Sequence, residues 1–359
     1  MTAAAGRGTG ATLVAVFVLS VAIAAIAPVR SLMDHDGDPT TLLRVGASSI
    51  SRSVVERDFD DPVLVPDYGH DGQQFYVIAR AFPDLEAADG EVDRLQYRAR
   101  RVLLPAIVSP LPDGAATVWG MLAVNLAAIG AAAVAVAVLA RRLGASPWLG
   151  LAVAITPAMV ESASGSLGDA PAFALALWGI VVWRRRPWLA AGLFLLAALS
   201  RETALVAALA CLVVARERRW APLLAPFVGF LAWAALVAVW LPAGGTSAAK
   251  DASLTFNAPF VGWVQVGWGD AIVLGLALLA ASLWAAWDLR SRLPELSVWL
   301  MVDAALLVVS SDAVVFRSWN FARVAPLAVP ALALAAGSRF GARPPAPVPD
   351  EDGDLSAPR

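Results

Sequence analysis

The chain reads as an all-α polytopic membrane protein of about ten transmembrane helices, with one large loop exported between the first and second. Three observations carry that reading. Hydrophobic residues make up 59% of the sequence and charged ones 16%, with a mean hydropathy of +0.68, where an ordinary soluble domain has roughly 45–50% and about 25%. The apolar residues fall into long runs divided by short charged breaks. Trp outnumbers Tyr fourteen to three, and many Trp stand at run ends (Trp119, Trp148, Trp183, Trp188, Trp220, Trp240, Trp287), where an indole keeps its ring in lipid and its N–H at the headgroups.

The expected spans lie near residues 11–28, 116–140, 147–160, 171–183, 188–199, 203–215, 221–241, 270–287, 295–310 and 323–338. Several fall short of the roughly 20 residues a bilayer requires, so their ends borrow small or polar neighbours or the helices enter a cavity. Short cytoplasmic connections collect arginine. With the N-terminus inside, the inner breaks hold Arg141 and Arg142, Arg184 to Arg186, Arg216, Arg218 and Arg219, and Arg290 and Arg292. The short outer breaks hold only Arg201, Lys250 and Arg317. Both termini are then cytoplasmic in a plasma-membrane protein, and residues 1–338 form one membrane domain with an exported loop over 29–115. The first run also has the three parts of a secretory signal, but Pro28 directly after Ala25-Ile26-Ala27 favours an uncleaved anchor. Residues 339–359, rich in Pro and acidic side chains, form a disordered tail.

Some function classes drop out at once. A net charge of −2 offers nucleic acid no basic surface. Cys211 is the single cysteine; it permits no intrachain disulfide and reads as a small buried hydrophobe. Asp34-His35-Asp36-Gly37-Asp38 lacks the residue order and the distant Glu of a calcium loop and reads as a solvated turn.

Chemistry concentrates in the exported loop, in Tyr68-Gly69-His70-Asp71-Gly72-Gln73-Gln74-Phe75-Tyr76. Further along, Val92, Leu95, Ala99, Val102 and Ala106 recur at helical spacing, with Arg94, Arg98 and Arg101 on another face. That pattern predicts an amphipathic helix on the outer membrane surface. Its arginines either face headgroups and lipid phosphate or pair with Glu91 and Asp93.

His70-Asp71-Gly72-Gln73-Gln74-Phe75-Tyr76-Val77-Ile78-Ala79 is similar to the Trp-Asp-Gly-x-x-Phe/Tyr-x-x-Ile-Ala string of the mannosyltransferases of GPI-anchor synthesis and their bacterial relatives, within the GT-C superfamily of polytopic glycosyltransferases. Tyr97-Arg98-Ala99-Arg100-Arg101-Val102-Leu103-Leu104-Pro105 and Ser200-Arg201-Glu202-Thr203-Ala204-Leu205 resemble segments of those bacterial relatives. The likeness runs from about Val63 to about Ala336, with His70 standing where the family has Trp. It implies transfer of a sugar from a polyprenyl-phosphate donor to a lipid, glycan or protein acceptor at the outer face.

The residues suit that reaction. Inverting transfer needs a carboxylate to take the proton of the incoming hydroxyl while the charge of the leaving phosphate is stabilised. Asp71 is the expected base. Gly72 opens the backbone to close approach, and His70, Gln73, Gln74 and Tyr76 are expected to contact sugar, while Phe75 either stacks on it or anchors the loop. Arg201, Arg317, Arg323, Arg98 and Arg101 are the candidates for phosphate, because guanidinium forks match its oxygens; Arg201 alternatively only neutralises Glu202. Glu161, Asp169, Glu202, Asp303 and Asp312 gather on the same side. Asp169 either caps a helix or, like Glu202, binds acceptor hydroxyls, or shares a divalent cation with Asp71. No cofactor or metal is expected to be required. The competing class is a transporter or lipid flippase, which the lack of an internal repeat disfavours. A third reading, a non-catalytic scaffold, leaves the Tyr68–Tyr76 string without a task.

Overall fold

The computed structural model describes residues 2–66, 68–215, 220–242, 258–266, 269–311 and 323–340. Arg216, Arg218, Arg219, Lys250, Asp312, Arg317 and the tail from 341 lie outside them. The described chain is a helical bundle with a small folded loop at one end.

The helix α1 (Thr2–Met33) leads into that loop, which holds α2 (Arg52–Asp58), α3 (Asp71–Ala81), α4 (Leu95–Ala99), α5 (Leu103–Val108) and two short parallel strands, β1 (Val45–Gly46) and β2 (Leu64–Val65). The bundle continues with α6 (Ala115–Arg142), α7 (Pro157–Ser164), α8 (Asp169–Val182), α9 (Pro187–Ser200), α10 (Leu205–Val214) and α11 (Trp220–Trp240). It closes with α12 (Val261–Val266), α13 (Asp270–Leu289), α14 (Pro294–Val309) and α15 (Ala328–Phe340).

Four helices among the described residues are long and apolar enough to cross a membrane: Gly10–Met33, Ala115–Arg142, Trp220–Trp240 and Asp270–Leu289, of 24, 28, 21 and 20 residues. The expectation of ten spans is corrected accordingly. Local sequence cuts the other runs short. Pro157, Pro187 and Pro294 start helices at their first turn, where the missing N–H costs nothing. The 147–160 run divides into a 3₁₀ segment, Pro147–Val153, and α7. Helices of 14, 14 and 10 residues, such as α8, α9 and α10, cover about 15–21 Å at 1.5 Å per residue, against a hydrocarbon core of about 30 Å.

Small residues hold the bundle together. The face of α6 carrying Ala132, Ala133, Val136 and Ala140 is fully buried and packs with α1 and α8, since alanine lets helix backbones approach closely where lipid supplies no hydrophobic drive between helices. The end of α6 is closed by Gly144 at φ +70, with Ala145 N–H donating to the Ala140 carbonyl at 2.9 Å, the turn that satisfies the last carbonyls of a helix.

The bundle has two distinct ends. At one, Arg142 donates to the Val181 carbonyl at 2.7 Å, Arg184 to Glu295 at 2.6 Å and Arg292 to Ser338 at 2.8 Å. These are the arginine-rich breaks. At the other, Ser200 donates to the Gly168 carbonyl at 2.7 Å, Trp233 to that of Ala99 at 3.2 Å and Gln96 to that of Leu241 at 2.7 Å. The folded loop caps this second end, between the last turn of α1 and the first of α6.

The amphipathic surface helix is replaced by two short helices, α4 and α5, set apart at Arg100–Val102. The apolar side of α4 faces protein: Leu95 and Ala99 cluster with Val237 and Leu241. Arg98 and Arg101 are 9% and 7% exposed, so they turn inward instead of toward headgroups. Asp34 to Asp38 is a turn, as expected; Asp38 accepts from the Thr40 N–H at 2.8 Å.

Gly72, in the first turn of α3, lies against backbone. A methyl group there would collide with the Gly165 carbonyl and stand 3.1 Å from that of Leu43. Its small size therefore seats the loop on the α7–α8 junction; it is not held open for a ligand. Gly72→Ala is expected to destabilise the protein by about 1–3 kcal/mol, the usual cost of overpacking, and thermal unfolding in detergent measures it.

Candidate functional site

Asp71 is the first residue of α3, and hydrogen bonds from several directions fix it there. His70 N–H donates to the Arg44 carbonyl at 3.1 Å, and Gly69, at φ +68, bridges to Val45. The Gln73 amide clamps the turn from inside, accepting from Gly46 N–H at 3.1 Å and donating to the Tyr68 carbonyl at 2.6 Å. Gln74 accepts from the Ser51 hydroxyl at 3.0 Å and from the Asp93 N–H at 3.1 Å. Tyr76 donates to Asp58 at 2.5 Å and accepts from the Gly114 N–H at 2.9 Å.

These bonds correct three expectations. Gln73, Gln74 and Tyr76 are 0%, 4% and 0% exposed, and their polar atoms are committed to the loop's own backbone and side chains. They hold the loop and do not face a sugar. Burial, then the bond to Asp58, raises the Tyr76 phenol well above its ordinary value, as befits a structural donor. Phe75 is buried with Leu43, Leu104 and Met121, so of its two readings the anchor is the one observed.

Around Asp71 the chain gathers arginines from two distant segments. Arg98 donates to Oδ1 at 2.6 Å, Arg323 to Oδ2 at 3.0 Å, and Arg101 lies 3.9 Å from Oδ2. Arg98 is itself gripped by Asp93 through two bonds, at 2.8 and 3.0 Å. Gln74 holds Asp93 in turn, so a continuous chain runs from the loop's interior to the carboxylate.

Arg323 reaches a second carboxylate, Asp169, at 3.1 Å, and Asp169 also pairs with Arg201. Asp169 opens α8, but the helix start is capped elsewhere: the Ser162 hydroxyl accepts from the Ala170 N–H at 2.9 Å. Asp169 therefore serves the arginines instead of capping. Glu202 takes Arg101 through two bonds, at 2.7 and 2.5 Å. Arg201 is paired with Asp169, so the reading in which it neutralises Glu202 gives way to this partner. Tyr97 sits among the cations, with the guanidiniums of Arg94, Arg98 and Arg101 at 5.1, 5.6 and 4.6 Å from its ring.

His70 points to a neighbouring pair, its Nε2 3.8 Å from Glu161, which Arg44 also binds. Sequence reasoning missed Arg44, Asp93 and Tyr97 as site residues. Tyr97 and Asp93 lay beside arginines already singled out; Arg44 carried no signal, since its role follows from a left-handed turn at φ +50. Asp303 is not brought to this cluster. It is 3% exposed within α14, and its Oδ2 has no hydrogen-bond partner among the described residues. Arg317 lies outside the described residues.

The electrostatics follow from this count. Four carboxylates (Asp71, Asp93, Asp169, Glu202) face four guanidiniums (Arg98, Arg101, Arg201, Arg323). Arg94 adds a cation with no carboxylate partner among the described residues. Burial by itself would raise Asp71, but Arg98, Arg323 and Arg101 together hold it well below its ordinary value of 3.8. Burial, then the like charges of Arg323 and Arg101, pull Arg201 below its ordinary value. An anion entering beside these three would relieve that repulsion, and guanidinium forks suit phosphate.

Comparison of the chain with protein-family models, with functionally characterised proteins and with solved structures finds no match.

Because the folded-state pKa of Asp71 is depressed, its contribution to stability is complete above about pH 4 and is lost as pH falls through the folded value. Asp71→Asn is expected to cost about 1–3 kcal/mol at neutral pH, the range for buried donors left short of an acceptor. The difference from wild type is expected to shrink below pH 4 in thermal unfolding across pH 3–7.

Proposed function

We propose that the protein is a membrane glycosyltransferase that moves a sugar from a polyprenyl-phosphate donor to an acceptor hydroxyl, at the face of the membrane bearing the folded loop. The observation that carries this reading is the 3.0 Å bond between Asp71 and Arg323, residues 252 positions apart. It sets a carboxylate beside a cluster of guanidiniums at one end of the bundle. The positive-inside pattern of the opposite end supports reading the loop face as the outer one.

In the proposed reaction Asp71 accepts the proton of the acceptor hydroxyl, whose oxygen attacks the sugar's anomeric carbon from the side opposite the phosphate. The bond from that carbon to the phosphate oxygen breaks, the phosphate leaves with the electron pair, and configuration inverts. Arg323, Arg201 and Arg101 receive the leaving phosphate's charge. His70, beside Glu161, remains the candidate contact for sugar hydroxyls. The outer face of α14 adds an apolar groove of about 360 Å³ lined by Ser297, Met301, Ala305 and Val309. An isoprenoid chain is the kind of apolar ligand that such a groove would suit.

A transporter is favoured by one feature, the buried carboxylate of Asp303 with an unpartnered oxygen, because ionisable groups inside membrane helices commonly mark a pathway. The two readings separate in one preparation. With labelled polyprenyl-phosphate sugars, Asp71→Asn is expected to lower transfer by about 10²–10⁴-fold, the usual contribution of a positioned base. Arg323→Ala is expected to raise the donor KM by about ten- to a hundredfold, as for a lost charged hydrogen bond. Near wild-type transfer by Asp71→Asn would remove it as base. Lipid movement across liposomes without loss of sugar, abolished by Asp303→Asn, would instead establish the transporter.

A further inference from the structure

We propose that Asp71 and Arg323 form an exchangeable pair, in which an isoprenyl phosphate takes Arg323 for itself and releases one carboxylate oxygen, so that donor binding precedes deprotonation of the acceptor. The order of events rests on the glycosyltransferase reading; the exchange does not.

The two oxygens of Asp71 are held very differently. Oδ1 accepts from Arg98, whose Nε and Nη2 are both engaged by Asp93, and Asp93 is tied through its backbone N–H to buried Gln74. That side is fastened inside the loop. Among the described residues Oδ2 accepts a hydrogen bond only from Arg323 Nη2, at 3.0 Å, with Arg101 Nη1 further off at 3.9 Å. Arg323 divides itself: its Nε lies 3.2 and 3.3 Å from the oxygens of Asp169, and Asp169 already has Arg201. Losing Arg323 therefore leaves both Asp71 and Asp169 with a cationic partner.

Open donors surround the same oxygen. Nη1 of Arg101, Nη2 of Arg201 and Nη1 of Arg323 donate no hydrogen bond among the described residues. A phosphate carries more charge and more acceptor oxygens than one edge of a carboxylate, so it competes for these forks. In the resting arrangement the carboxylate is a poor base, because two arginines occupy both its oxygens and keep it ionised at low pH. Withdrawing Arg323 removes one of those charges and opens a lone pair. The basicity a proton transfer needs thus appears only once the leaving group is seated, which protects the donor from attack by water before it is in place.

The consequence to measure is competition. Purified full-length protein is titrated with farnesyl phosphate and, separately, with inorganic phosphate, for wild type and Asp71→Asn. Removing the competing carboxylate is expected to tighten binding on the order of tenfold, as when a state that blocks the ligand is abolished. Tightening with both probes supports competition by the phosphate group itself; tightening with farnesyl phosphate alone supports competition by a lipid phosphate. Unchanged or weaker binding of both probes to folded Asp71→Asn overturns the exchange.

Wild type supplies a second test that needs no variant. Labelling of Asp71 by a hydrophobic carbodiimide, read by peptide mass spectrometry, is expected to rise several-fold when farnesyl phosphate is added. Constant or falling labelling overturns the exchange. If binding tightens and labelling rises but no sugar is ever transferred, the glycosyltransferase reading fails and the exchange stands. Sugar transfer without either signature has the opposite meaning.

Discussion

Buried charge constrains this molecule more than any other feature. Arg98, Arg101, Asp169 and the Asp71–Arg323 pair lie where water is scarce, and an unpaired ion in such a place costs several kcal/mol. Each therefore needs a partner, and the partners come from the loop, from the α7–α8 and α9–α10 junctions and from the segment before α15. The requirement works as a fastening. Asp71 cannot leave Arg98 and Arg323 without itself becoming an unpaired buried charge, so the loop is held onto the bundle end by the same groups that form the candidate site. Apolar packing adds to this through Leu95 and Ala99 against Val237 and Leu241, but packing alone would not select one register. The charges do, because each guanidinium fork fits its carboxylate in few geometries.

The loop's interior has a matching logic. Gln73, Gln74 and Tyr76 lie within five residues after Asp71, and each spends its polar group on backbone or on another loop side chain. A loop that must present one carboxylate accurately needs that rigidity, since unsatisfied amides in a buried turn would open it to water. Gln74 is the link of most consequence. By holding Asp93 it holds Arg98, and through Arg98 the near oxygen of Asp71. The polar string thus has two parts: Asp71 and His70 face other elements, while the glutamines and the tyrosine serve as their framework.

Which parts of this were legible in the letters follows from range. Helical class and apolar runs were readable because composition and run length are local properties. The number of crossings was not, since Pro157, Pro187, Pro294 and the 165–168 break shorten helices that hydropathy alone would extend. Asp71, Asp169, Glu202, Arg201 and Arg323 were readable as a group, because ionisable residues in such a chain have few places to lie and must find one another. Their pairing was not: spacing cannot say that Arg101 takes Glu202 while Arg201 takes Asp169. The inward turn of Arg98 and Arg101 was hidden for a related reason. An arginine stripe beside an apolar stripe suits a membrane surface and a buried ion network equally, and the acids decide between them: Asp71 and Asp93 for Arg98, Glu202 for Arg101.

The short helices give the fold its site. A helix that crosses the full hydrocarbon core delivers its end residues to the headgroups, where water screens them. The helices α8, α9 and α10 stop early, and they stop at charged residues: Asp169 begins α8, and Arg201 and Glu202 separate α9 from α10. These charges meet the folded loop through Arg101, which takes Glu202, and through Asp71, which shares Arg323 with Asp169. In buried surroundings of this kind an ion pair is stronger than in water. Lengthening α9 by the few residues needed for a full crossing would carry Arg201 out of reach of Asp169 and dissolve the network. The span count that hydropathy overestimated and the site that charge pairing builds are consequently one fact about the chain, because the helices are short where the carboxylates and arginines have to meet.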